Sequence, residues 1–499
     1  MGRPVRVRIL SRASDLARLQ AMLVSRALQA QFPELDIHLL TRASAGDRDE
    51  TTPLAEMPDK GAFTSDLSDA LLKGLADLVV HSWKDLPLED REGTTVAATI
   101  ERADPRDMLL VRREVVARRP RTITILSSSP RRSWLLEQAL PELLPWRVEA
   151  FQFAPVRGNI ATRLARLTEG RGDALVVAKA ALDRLLGFGA PFEDAARTVR
   201  AHLNQCVGMV LPLRDVPGAP AQGAIAIEAP VRSRFADHLA AISHRPTWEA
   251  VQQEREVLAR HGGGCHEALG ATVLPREYGR VVSIKGRLST GASEDGWSLS
   301  ATGIVPPRAR ATEIWPRPEE RQRVTRRPLE VPAPPEGAGF WVARAEALPE
   351  SWTVTPNRLV WAAGGTTWRR LAARGIWVHG CADGLGDSEA PNIDTLAGHQ
   401  VSWHRLTHRA AASADPDALA TYEVQESLPD DLPARTHFFW TSGAQFLQAV
   451  ERWPELVDRW HGSGPGRTWQ TLCRTLGHRA RARVWLDYDQ WQKEILAWQ

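Results

Sequence analysis

Across residues 5–230, short apolar runs alternate with segments whose apolar positions recur every three to four residues, and this alternation constrains the fold most. Segments 5–10, 75–83, 122–126 and 173–178 read as strands. Segments 16–30, 160–167 and 180–186 read as helices; in the first the stripe is Leu16, Leu19, Leu23, Ala27 and Leu28. A chain that alternates in this way buries a parallel sheet between helices on both faces. The expected class is α/β and doubly wound.

At 499 residues the chain is too long for one core. Residues 247–261 read as a helix ending in glycines 262–264, and 268–303 as short strands, so a small α+β unit follows the α/β part. Segment 327–338 has the proline density of a linker. Thirteen of the 19 tryptophans lie beyond residue 340, which marks the remainder as a separate domain. Lys+Arg at 63 against Asp+Glu at 60 argues against a nucleic-acid partner, which calls for a basic excess. Cys206, Cys265, Cys381 and Cys473 are too widely spaced for a zinc ribbon or a disulfide framework. The N-terminus lacks a signal-peptide core, and no run approaches the roughly 20 apolar residues of a membrane span. A cytoplasmic chain without a membrane partner is expected.

Two segments are alike. Residues 7–14 and 123–132 both pass from a strand into Ser and Arg at a helix start, with Ser129 placed to cap and Pro130 at the first helical position. Free N–H groups, a helix dipole and guanidinium groups together make an anion site, and strand carboxyl ends are where open sheets bind ligands. Asn159 can cap a third start, flanked by Arg157 and Arg163. Because net charge is balanced, the implied polyanion is small. Lys84 and Asp85 end a buried strand, where a carboxylate can hold a cationic intermediate or move protons, although such a pair is usually a solvated turn. Cys265 sits after three glycines that leave its thiol reachable, although a buried, inert cysteine is the commoner case.

In order along residues 5–305 stand RILSRASDLA (8–17), GDR (46–48), KGAF (60–63), DLVVHSWKDLP (77–87), DPRD (104–107), SSSPRR (127–132), RGNIATRL (157–164), AQGAIAIE (221–228) and GGCH (263–266). With these motifs the sequence resembles the hydroxymethylbilane synthase (porphobilinogen deaminase) family. The resemblance implies two lobes like those of periplasmic binding proteins, residues 1–104 plus 222–242 and 105–221, with crossings near 102–106 and 217–223. It implies a cysteine-bearing α+β domain at 243–326, followed by the linker 327–338 and a last α/β domain at 339–499. The implied reaction joins four porphobilinogen molecules head to tail with loss of ammonia, then releases hydroxymethylbilane by adding water. The implied cofactor is dipyrromethane, held by a thioether to Cys265. The resemblance makes Asp85 catalytic. It assigns Lys84, Ser128, Ser129, Arg131 and Arg132 to the cofactor, and Arg12, Ser14, Gln20, Lys60, Arg157, Arg163 and Arg184 to the substrate. These arginines are expected to bind carboxylates rather than hold the fold. The chain departs from the family pattern at Glu56, Leu126 and Ala268.

Segments 340–344, 362–375 and 436–447 are similar to uroporphyrinogen-III synthase, so the last domain reads as an active cyclase or a reduced remnant. No metal is implied, and a monomer is expected. A two-lobed anion-binding protein without activity is the remote alternative, but it needs neither Asp85 nor an accessible Cys265.

Overall fold

The computed structural model describes residues 5–43, 64–89, 91–261, 267–321, 325–413, 415–425, 428–477 and 481–496. Lys60, Cys265, Glu56 and the GDR and KGAF motifs lie outside the described residues. The chain divides into two compact units: one holds most of residues 1–296, and the other holds residues 297–499 with two short upstream pieces.

The first unit contains two five-stranded sheets. The first sheet takes β1 (Val5–Arg12), β2 (Leu35–Arg42), β3 (Leu78–Ser82) and β4 (Thr94–Thr99). The second takes β5 (Asp107–Arg112), β6 (Thr122–Leu126), β7 (Ala150–Ala154), β8 (Ala174–Ala178) and β9 (Cys206–Val210). The chain then returns to the first sheet as β10 (Ile225–Pro230). The orders are β2-β1-β3-β10-β4 and β7-β6-β8-β5-β9. The sheets are mixed, not all-parallel: β10 runs against β3 and β4, and β5 runs against β8 and β9. In each sheet the reversed strand is the one that enters from the other lobe. Its direction is set by the crossings, between Thr99 and Asp107 and between Val210 and Ile225, rather than by a local strand–helix repeat.

The helix Asp15–Gln31 covers the first sheet, setting Ala21, Val24 and Leu28 on Val7, Ile9, Leu78 and Ile227. Burying each of the larger side chains contributes about 1.5–3 kcal/mol, an upper figure because unfolded chains already bury some surface. Three strands of nine residues follow, Ala268–Arg276, Gly279–Arg287 and Ser293–Ala301, paired in that order.

The second unit has a six-stranded and a four-stranded sheet. Ile314–Trp315 pairs with His437–Trp440, and Thr325–Pro328 is the antiparallel edge of the six-stranded sheet, against Ala418–Gln425. The chain is thus paired into these sheets before residue 327. Proline and two exposed arginines suit an edge strand, where a missing N–H and charge discourage further pairing.

Candidate active site

β3 ends in a short 3-10 turn, Trp83–Asp85. Trp83 is buried against Ala221, Ala224 and Val251, with its ring 5.2 Å from that of Trp248. After that anchor, Lys84 is half-buried and Asp85 is exposed. Burial, then the charge of Arg132, pushes the Lys84 ammonium down to about 8, against the pull of Asp85 and Asp107.

On the second lobe, the helix Pro130–Leu143 starts at Pro130, and the Ser129 hydroxyl accepts from Arg132 N at 3.4 Å. Ser128 is tied to both the N–H and the carbonyl of Val156, at 2.9 Å each. Arg131 and Arg132 each donate to one oxygen of the fully buried Asp107 at 2.7 Å, and Arg131 also donates to Pro217 O at 2.6 Å. Burial opposes ionisation of Asp107, yet Arg132 and Arg131 hold its carboxyl far below the usual range. Arg131 is itself buried, so it holds the fold as well as supplying charge. Arg132 is more open: its Nε is buried without a hydrogen-bond partner, while its charge reaches Lys84 and Arg163.

Asn159 caps the helix Ile160–Thr168 through Thr162 N. Arg163 donates to Gly158 O at 2.8 Å; burial and the charge of Arg132 push it down to about 10, with Asp85 opposing. Burial brings Arg184 down to about 10 as well, and its Nη2 donates to Gly223 O at 2.7 Å. Arg157 lies on the loop before the Asn159 cap. On the first lobe, Arg12 ends β1 and Ser14 begins the next helix without capping it. Gln20 is buried against Ser82, donating to its hydroxyl at 2.9 Å. Asp85 and Arg132 thus act electrostatically on both Lys84 and Arg163, and Arg131 on Lys84. Gln20 and Arg184 are joined to the turn at Ser82 and to the crossing at Gly223.

The helix Arg245–Arg260 leads toward the segment carrying Cys265. Its Arg255 donates to Leu86 O and Pro87 O, next to Asp85. Its buried Glu254 takes a bidentate pair from Arg102 at 2.6 and 3.0 Å, and accepts from Ala221 N and Val273 N. One carboxylate thereby joins both crossings to the strand Ala268–Arg276.

Sequence reasoning did not single out Asp107, Arg102, Glu254 or Gln222. The signal for Asp107 and Gln222 was present in DPRD and AQGA, but it named neither partner.

Residues 7–236 match the family model described as "Porphobilinogen deaminase, dipyromethane cofactor binding domain". The porphobilinogen deaminase of Moorella thermoacetica is 34% identical over 303 residues, an alignment covering 58% of this chain and 89% of that relative. The chain belongs to the porphobilinogen deaminase family. The family's enzymes are transferases of porphyrin biosynthesis, and the matched domain is the one that holds dipyrromethane. Solved structures that overlap include a putative periplasmic sulfonate-binding protein from Methylobacillus flagellatus, 13% identical at TM-score 0.28 over 52% of this chain and 73% of that one. The methionine-binding protein MetQ is 11% identical at TM-score 0.29, over 50% and 95%. The description of the first unit as two mixed five-stranded sheets rests on the strand orders above, not on these overlaps. Among the described residues, no helix is long and apolar enough to cross a membrane.

Proposed function

We propose that the chain is a hydroxymethylbilane synthase, with Asp85 as its catalytic carboxylate and the surrounding cations as its carboxylate-binding wall. The observation that carries this reading is the surplus of positive charge at strand ends. Lys84, Arg163 and Arg184 are all displaced downward by burial, and in the first two Arg132's like charge adds to it. The carboxylates acting on this wall, Asp85, Asp107 and Asp183, are fewer than its cations, and each pyrrole ring of the substrate brings an acetate and a propionate. Dipyrromethane fits the same test, because its two rings carry four carboxylates and Arg132 Nε is buried without a partner. Lys84, Ser128, Ser129, Arg131 and Arg132 would hold it, with Cys265 as its tether. When bound, it supplies a nucleophilic pyrrole carbon on a covalent anchor.

The chain's own residues do the rest. Arg12, Ser14, Arg157, Arg163 and Arg184 hold the carboxylates of porphobilinogen, with Gln20 fixing Ser82 beneath the turn and Lys60 assigned by resemblance. As each C–C bond forms, ammonia leaves the aminomethyl carbon and the attacked pyrrole loses its α-proton. Asp85 opposes the positive charge that develops on the pyrrole nitrogens and takes up or returns protons. After four condensations water adds, and the linear tetrapyrrole leaves. The enzyme works as a cytoplasmic monomer. Its lobes span 1–104 plus 222–242 and 105–221, and the third domain ends near Gly303.

A second reading, that the tail cyclises the product, is favoured by one observation. The strands Gly339–Val342, Val360–Ala362 and His437–Trp440 carry the three similar segments, and the last two run on into helices at Gly365 and Gly443. Oxidised products of the full chain and of residues 1–303 test it. Type III uroporphyrinogen from the full chain and type I from the truncated one support an active tail; type I from both marks a remnant.

A further inference from the structure

Gln222 sits at the return crossing, with its side chain between the two lobes. Its Nε2 donates to Pro105 O at 2.8 Å and to Asp107 Oδ1 at 2.9 Å. Those two acceptors fix the amide orientation, because the flipped rotamer would set an oxygen against both. The amide oxygen is therefore left facing Lys84, whose Nζ donates to it at 3.4 Å. The backbone around Gln222 is held just as firmly. Ala221 adopts φ +65 and donates to Glu254, the Gln222 carbonyl accepts from Arg102 Nε at 2.8 Å, and Gly223 adopts φ +85 where a Cβ would meet Ala103 O at 2.5 Å. A non-glycine residue in the left-handed region persists only where its surroundings over-determine it.

We propose that Gln222 is a positioning residue that aims the Lys84 ammonium at the ligand's carboxylates, coupling that ammonium to the Asp107 anchor and to the interlobe crossing. The proposal deepens the function proposed above and rests on it. A neutral oxygen suits this role. It stabilises the ammonium without neutralising it, so the charge stays available to a carboxylate. The charged groups facing Lys84 are Arg131 and Arg132 from the helix Pro130–Leu143, Asp107 from β5, and Asp85 from its own turn. The two cations and the two carboxylates act on the ammonium in opposite directions, and the dipole of Gln222, in hydrogen-bond contact, adds to that balance.

The test is the reactivity of Lys84 as a function of pH in the full-length holoenzyme. It is read by trace acetylation with acetic anhydride and peptide mass mapping, which is tractable with only six lysines in the chain. Gln222→Met removes the oxygen, and the Lys84 midpoint should fall by about one pH unit. Gln222→Glu puts a carboxylate there, and the midpoint should rise by about as much. The fraction of purified chain that carries dipyrromethane, read by intact mass, should fall several-fold in both. If Gln222→Met does not fold, the Glu variant, equal in size, carries the test. An unmoved midpoint, or shifts of the same sign in both variants, overturns the proposal. Opposite shifts with an unchanged dipyrromethane fraction uphold the coupling of Gln222 to Lys84 and overturn the role of Lys84 in holding the cofactor.

Discussion

Each compact unit contains a cluster of arginines and aspartates, and the two clusters are opposite in balance. In the first unit, one buried carboxylate, Asp107, serves Arg131, Arg132 and Gln222, and its acidity is driven far up. In the second, Arg405 and Arg467 each bridge the same two carboxylates, Asp387 and Asp415, near a close approach of Gly386 to Gly466. There Asp387 is pushed up, by burial first, with the neighbouring Asp415 adding to it against Arg405. Two cations matched to two anions make a structural tie. Cations in excess of their carboxylate, as in the proposed site, leave positive charge for an anion. The direction in which burial and charge move the aspartate distinguishes the two.

The largest effect is expected at the one exposed carboxylate within the surplus. Asp85→Asn should slow single-turnover ammonia release by about 10²–10³ in protein that already carries the cofactor; a near-normal rate would remove Asp85 from the chemistry. Next come the arginines. Arg132→Leu should weaken the hold on the dipyrromethane by about 2–5 kcal/mol and, because it also breaks a 2.7 Å contact with buried Asp107, lower the melting temperature. Arg467→Leu in the tail should leave turnover untouched. Arg131→Leu should lower stability further than Arg132→Leu, because Arg131 is the more buried of the two and is also tied to Pro217 O at 2.6 Å. It should cost about 3 kcal/mol of stability, the lower end for a broken buried pair because Arg132 and Gln222 remain. Equal melting of the two variants would erase that difference.

The acid response sharpens the same comparison. Asp107 has a folded pKa below its unfolded value, so its stabilisation is complete above about pH 4 and is lost as pH falls through the folded value. Asp387 has a folded pKa above its unfolded value, so the fold gains from its protonation over that acid range. Acid unfolding of Asp107→Asn should therefore be flatter below pH 4 than that of Asp387→Asn, as followed by tryptophan fluorescence. The smallest effect is expected from removing the tail. Residues 1–303 should stay soluble and keep porphobilinogen turnover within about twofold, because the family match and the proposed site lie upstream. A cut near Pro334 should express worse, since it strands Ile314–Trp315 and Thr325–Pro328 without their partners.

Elements with strong local periodicity were legible in the sequence. The helix expected at 16–30 is Asp15–Gln31, the strand at 122–126 is β6, and Ser129 and Asn159 cap as their neighbours suggest. Strand direction was not legible, because the reversal of β5 and β10 follows from crossings between lobes and leaves no local mark. The charge of the site was legible, since arginines clustered at strand ends. Its division of labour was not: Arg131 and Arg132 are adjacent in sequence and both reach Asp107, and only the fold ties Arg131 to Pro217 O as well. Gln222 escaped for the same reason, because its three partners come from residues 84, 105 and 107. Proline density pointed to 327–338 as the joint, whereas Pro328 ends a paired edge strand.

The account's central claim is that the cationic wall exists to hold a covalently tethered polycarboxylate. The intact mass of the purified full-length chain tests it most directly, measured beside Cys265→Ala. The account predicts a mass increment equal to two porphobilinogen-derived rings on the unsubstituted chain and none on Cys265→Ala, with Cys206→Ala, Cys381→Ala and Cys473→Ala keeping it. An unmodified mass for the unsubstituted chain, or a retained increment in Cys265→Ala, would contradict it.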